Sequence, residues 1–234
     1  MFPIPPVTKN LMLACVAVFC LGFFPAMLSL TTQWLALWPL PSGNFMPWQV
    51  VTYAFLHSAA SPAHLLFNML GLWMFGSELE RLWGNKRYLQ FLAVAAITAA
   101  VAQLLVTAAM GSTHPTVGAS GAVYGLLLAY ALTFPNRQFD LVGFLPMLLL
   151  LLPSQTLNIL GIVLYVMLAT NREAVPIPPV YVRALVMVSI FGALELFLGL
   201  FVHTGVAHFA HLGGMLGGWL MIKFWRNSRG SRRR

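Results

Sequence analysis

The chain has 234 residues, 59% hydrophobic and 8% charged, with 13 Lys and Arg against 5 Asp and Glu and a formal net charge of +8. That composition, with a mean hydropathy of +0.82, excludes a soluble globule with one ordinary core and predicts a polytopic membrane protein. A helix needs about 20 mostly apolar residues to cross the hydrocarbon. Such stretches run near residues 10–30, 63–82, 88–110, 118–134, 182–202 and 206–225, with a further apolar stretch at 141–169.

The first ten residues hold three prolines and a single charge, Lys9. They lack the charged leader and small-residue cleavage site of a signal peptide, so the first span is expected to be retained. Cys15 and Cys20 stand five apart on that span, where neither side-chain direction nor depth favours a bridge. They read as small buried hydrophobes, and no metal site or cofactor suggests itself. The long loop at 31–62 carries Trp34, Trp38, Phe45 and Trp48 and no charged residue.

The positive charge is informative because of where it lies. With a cytoplasmic N-terminus and six alternating spans, every Lys and Arg falls on the cytoplasmic side: Lys9, then Arg81, Lys86 and Arg87, then Arg137, Arg172 and Arg183, and last Lys223 onward. The loops on the other side (31–62, 111–117 and 203–205) have none, which is a clear positive-inside pattern with both termini cytoplasmic. The basic tail, 226–234, reads as a polybasic end facing anionic lipid rather than a nucleic-acid site. His57, His64, His114, His203, His208 and His211 sort the opposite way, into outer loops or the outer ends of spans.

Residues 141–169 are expected not to count as one crossing. A single extra crossing would put Ser120 and His211 on opposite sides of the bilayer. The stretch contains Pro146 and Pro153 with a polar break through Ser154-Gln155-Thr156, and Asn136-Arg137 and Asn171-Arg172 flank it alike. A re-entrant hairpin or a pair of short tilted helices satisfies all of this.

The chemistry-bearing residues sit at the starts of three spans. Ser120 lies in Gly118-Ala119-Ser120-Gly121, with Tyr124 four residues on and therefore on the same helix face, and Gly121 and Gly125 likewise share a face. Alone, this run reads as a small-residue helix contact; it is not the hydrolase elbow either, since Ala122 stands where that motif needs glycine. His211, Gly214 and Gly218 have a related spacing in the last span, with Gly213 and Gly217 one register over. Two glycine-faced helices can approach to backbone contact, which would bring His211 within reach of Ser120. His64 and Asn68 are also four apart, so one helix face offers two donors of the kind a developing oxyanion needs, although such residues also brace loops. His57 and His208 read as loop or rim residues, His208 being the rival base. The only acids are Glu78, Glu80, Asp140, Glu173 and Glu195: the first four fall on the cytoplasmic side and Glu195 mid-span, so a Ser-His dyad is expected, with Tyr124 as the ring that holds the imidazole.

Taken together, His64-x-x-x-Asn68, Gly118-x-Ser120-Gly121 with Tyr124, and Ala210-His211-x-x-Gly214-x-x-x-Gly218 resemble the rhomboid intramembrane serine proteases of bacterial type. The resemblance implies an all-α, six-helix rhomboid-like membrane domain over residues 1–234, with 141–169 as an extra apolar insertion. It also implies Ser120 as nucleophile and His211 as general base, with an oxyanion hole from His64, Asn68 and the Ser120 backbone N–H. Gly118, Gly121, Gly214 and Gly218 would support that site. The implied partners are transmembrane protein substrates cut near their outer end, within a bacterial inner membrane. Trp48-Gln49 stands where many members have Trp-Arg. A rhomboid-like protein that binds membrane helices without cutting them is the competing reading, and a small transporter is disfavoured because Glu195 is the lone mid-span acid.

Overall fold

The computed structural model describes residues 3–146, 149, 154–174, 177–202 and 207–231. Among them the chain is helical almost throughout, an all-α bundle as the apolar runs predict. Helix α1 (Pro6–Leu21) begins on a proline, whose missing N–H is one that a helix start leaves unpaired anyway. It stops at Leu21 rather than near residue 30. Phe24 is extended, as the residue before a proline prefers, and Pro25 opens a new helix, α2 (Pro25–Leu35), in which no residue is buried. Apolarity runs unbroken across this turn, so hydropathy alone does not mark it.

A short α3 (Gln49–Thr52) follows within the long loop. Helix α4 (Pro62–Gly71) continues through a π turn at Leu72–Gly76 into α5 (Ser77–Trp83), one rod over the predicted 63–82. Gly84 then takes a φ of +77°, which costs glycine little, and reverses the chain into α6 (Asn85–Ala109). Next come α7 (Ser120–Thr133), β1 (Gln138–Asp140), α8 (Leu141–Phe144), α9 (Gln155–Thr170), β2 (Tyr181–Arg183), α10 (Ala184–Phe201) and α11 (His208–Ser231). By length and composition α6 and α10 suffice to cross a membrane; Pro6–Leu21, Ser120–Thr133 and Thr156–Leu168 are shorter apolar helices.

Two compact units make up the chain: Met1–Ala129 with Ala207–Arg234, and Tyr130–Val206. In the first, α11 packs along α6, whose Phe91, Ala95, Ala96, Ala99 and Ala100 are buried. Small residues make this approach possible. A Cβ at Gly213 would meet Ala102 and the Thr98 carbonyl, and one at Gly217 would overlap Thr98 Oγ1. Gly214 and Gly218 point instead at Gly121 and Gly125 of α7. The two glycine registers of α11 thus serve two different neighbours, which a single small-residue stripe does not do.

The start of α1 is held by a buried carboxylate. Glu80 of α5, 2% exposed, accepts hydrogen bonds from the backbone N–H of Val7 and Thr8 and from the Thr8 hydroxyl at 2.7–2.9 Å. An anion at a helix N-terminus serves its unpaired N–H groups and its dipole together. Trp83, which follows in α5, packs its ring with those of Phe91 in α6 and Trp225 in α11, with Arg87 over the Trp225 ring.

The second unit contains a feature that the all-helical expectation omits. Strands β1 and β2 pair antiparallel, with Gln138 opposite Arg183, Phe139 opposite Val182 and Asp140 opposite Tyr181. The excursion between them leaves and returns at one place. Asp140 clasps it by accepting from Arg172 Nε at 2.5 Å and from the Val142 and Val180 N–H at 3.1 Å. Desolvation raises the Asp140 pKa, but these hydrogen bonds and the Arg172 charge outweigh it and leave the carboxyl below its ordinary value. Residues 147, 148 and 150–153, where a re-entrant tip is expected, lie outside the described residues.

Candidate active site

Ser120 is the first residue of α7, and His211 stands one turn into α11. The Gly121/Gly214 contact below them lets the two helices meet at their backbones, and Ser120 Oγ lies 2.8 Å from His211 Nε2. Two hydrogen-bonding groups that are 91 residues apart in sequence are therefore in direct contact. The imidazole is buried, at 6% exposure, and its ring stacks on Tyr124 with centroids 4.2 Å apart and planes within 7°. The stack on Tyr124 limits the ring's tilt in the orientation that aims Nε2 at the hydroxyl. His208 is buried as well, its ring perpendicular to that of His211 at 6.3 Å, but the partner of Ser120 is His211.

The segment entering α7 shapes the other side of the serine. Gly118 has a φ of +124°, and a Cβ there would fall 2.6 Å from His64 Nε2 and 3.7 Å from Ser120 Oγ. Glycine is required twice over, by conformation and by space. The absent side chain lets the His64 imidazole nitrogen and the serine hydroxyl both lie close to the Gly118 backbone. Asn68, 3% exposed, lies one turn after His64 and donates from Nδ2 to the His64 backbone carbonyl at 2.7 Å. This bond fixes the amide to the same turn as His64 and leaves one N–H of the NH2 group for another acceptor.

Two residues contribute more than sequence reasoning allowed. His57, expected at the rim, is buried beside His64 with ring centroids 5.2 Å apart. Burial lowers its pKa to about 4, helped by the charge of His64. Because the folded value lies below the ordinary 6.5, the unfolded chain takes up a proton first as pH falls. Stability is complete above pH 6.5 and declines from there toward pH 4, by about 2 kcal/mol at pH 5. Unfolding midpoints measured from pH 8 to 5 in one detergent should show that decline, and His57→Gln should make it shallower. The second residue is Gln49, whose side chain is wholly buried in the long loop. Its signal was present in the sequence as a polar residue at a position where a cation is usual, but its bonding partners are scattered and carry no pattern.

Comparison with known proteins gives this arrangement a lineage. A family model described as the Rhomboid domain matches residues 44–166, a stretch that holds His64, Asn68 and Ser120 and ends before His211. Over 123 residues the chain is 32% identical to a protein named Rhomboid protease GlpG from Yersinia pestis (strain Pestoides F), covering 52% of this chain and 41% of that protein. A protein of the same name from Yersinia pseudotuberculosis serotype O:3 (strain YPIII) gives the same figures. One named Rhomboid protease GluP from Bacillus subtilis (strain 168) is 36% identical over 94 residues, 39% of this chain and 17% of that protein. The chain spans less than half the length of these relatives.

Proposed function

The chain belongs to the rhomboid family, and on that premise we propose that it is an intramembrane serine endopeptidase working through Ser120 and His211. The observation that carries the reading is the 2.8 Å contact between Ser120 Oγ and His211 Nε2. With His211 protonated on Nδ1 only, Nε2 accepts the Ser120 proton as Oγ attacks a peptide carbonyl. The imidazolium then returns that proton to the leaving amine, and water hydrolyses the acyl-enzyme by the same relay. Negative charge forms on the carbonyl oxygen, for which His64 Nε2 and the Ser120 backbone N–H are the candidate donors, with Asn68 supplying its second N–H.

The substrates in this reading are transmembrane segments of other proteins, cut near their outer end, in a bacterial inner membrane with both termini of this chain cytoplasmic. The charge pattern supports that orientation. The β1–β2 ribbon supports an even number of crossings between Ser120 and His211, since the excursion begins and ends side by side. A fluorophosphonate probe tests the reading at the nucleophile. Wild type in detergent should be labelled on the peptide containing Ser120, and Ser120→Ala should not; equal labelling of both would overturn it, and no labelling of either would favour a helix-binding protein.

A further inference from the structure

Gln49 is 0% exposed, and every hydrogen-bonding position of its amide is used. Its Oε1 accepts from the backbone N–H of Trp38 at 3.2 Å and Met46 at 3.1 Å, and its Nε2 donates to the carbonyls of Gln33 at 3.4 Å and Asn44 at 3.3 Å. Two donors and two acceptor lone pairs are all that a glutamine amide has. The partners lie at 33–38 and 44–46 on the two limbs of the long loop, the second of which runs on through Gln49 to Tyr53, so one side chain ties the limbs together.

Each limb then grips the segment that leads into the serine. On the first, Leu37, next to Trp38 and 1% exposed, exchanges backbone hydrogen bonds with Thr116 at 3.0 and 2.9 Å. On the second, the Tyr53 carbonyl accepts from the Gly118 N–H at 3.0 Å, while the Tyr53 hydroxyl donates to the Ala96 carbonyl of α6 at 2.9 Å. Thr116 is further anchored on α6, with Gln103 Nε2 donating to its hydroxyl at 3.2 Å. The spacing of the two limbs therefore sets where Thr116 and Gly118 lie, and Gly118 is packed against His64 Nε2 and near Ser120 Oγ.

We propose that Gln49 is a positioning residue for acyl transfer, a neutral brace that fixes the Thr116–Gly118 segment through both limbs of the loop; the inference rests on the protease reading above. Charge-free bracing follows from the partners. Arginine has donors and no acceptor, so it serves the Gln33 and Asn44 carbonyls but leaves the Trp38 and Met46 N–H groups facing a cation. In this loop the amide pairs with all four backbone groups, and an arginine would leave two of them without an acceptor.

Fluorophosphonate labelling of the purified full chain, resolved into kinact and KI well below every variant's unfolding midpoint, tests the proposal. Gln49→Leu is expected to lower kinact about 10- to 100-fold, the scale of an ångström-sized misplacement, with KI changed less than about threefold. Gln49→Glu keeps the length and the acceptors but loses both donors, and falls between; it carries the test under the same criteria if Gln49→Leu does not accumulate folded. Unchanged kinact in the folded variants, or a loss confined to KI or to the folded fraction, overturns the proposal. Amide hydrogen exchange over residues 113–118 separates the two readings. Faster exchange in Gln49→Leu alongside a wild type that does not label keeps the brace and sinks the protease; unchanged exchange sinks the brace.

Discussion

Replacing His211 with alanine is expected to lower kcat/KM on a single-span model substrate by about 10²- to 10⁴-fold, the usual contribution of a positioned general base. The direction follows from the geometry. A serine hydroxyl is a poor nucleophile until a base takes its proton, and the nitrogen 2.8 Å from Ser120 Oγ belongs to His211. The fold should survive the change, because beside the imidazole's contacts with Ser120 and Tyr124 the close approach of α11 to α6 and α7 is made at Gly213, Gly214, Gly217 and Gly218, which the substitution leaves intact. Two readouts separate a base from a prop. The unfolding midpoint should move little, and added free imidazole should restore part of the rate by occupying the space over Tyr124. A variant that keeps its rate within tenfold, or loses it only through unfolding, contradicts the assignment.

Gly214→Ala is expected to have the second largest effect, on stability and rate together. The Cβ would overlap the backbone carbonyl of Gly121, and backbone cannot turn aside as a flexible side chain does. The same face continues one turn on, where a Cβ at Gly218 would come within 2.9 Å of the Gly125 carbonyl and 3.0 Å of the Phe91 ring. Helices α7 and α11 must therefore part. Overpacking of this kind costs about 1–3 kcal/mol. Gly121 adjoins Ser120, and Gly214 lies three residues beyond His211, so the parting separates Ser120 Oγ from His211 Nε2. A shift of about 1 Å costs on the order of 10² in rate. Gly143→Ala is the control, since its nearest neighbour is an ordinary 3.8 Å away. Thermal unfolding and kcat/KM on the same preparations check both effects; a Gly214→Ala variant matching the control on both contradicts the close-packing account.

How much of this was legible in the sequence depends on how local the signal is. The helices at 63–82, 88–110, 118–134, 182–202 and 206–225 show as apolar runs, and the structure places helices over each. The meeting of Ser120 and His211 was legible because glycines spaced four apart mark faces that can touch, and the contact is present. The break at 22–24 was not, because the apolar run does not pause there; Pro25 was the signal, and it lost to hydropathy. The β1–β2 ribbon was missed because strands of three residues are too short to show alternation. The partners of Gln49 were invisible for another reason. All four are backbone groups, and backbone atoms are the same whatever the side chain, so no residue type records the contact.

The central claim is that this chain cuts peptide bonds within membranes using Ser120. Purified wild type and Ser120→Ala, each reconstituted in liposomes with a single-span model substrate, test it most directly when the products are mapped by mass spectrometry. The account predicts one new pair of termini in the outer part of the substrate's apolar segment with wild type, and intact substrate with Ser120→Ala. Cleavage by Ser120→Ala at the same bond, or cleavage by wild type only in the substrate's aqueous flanks, would contradict it.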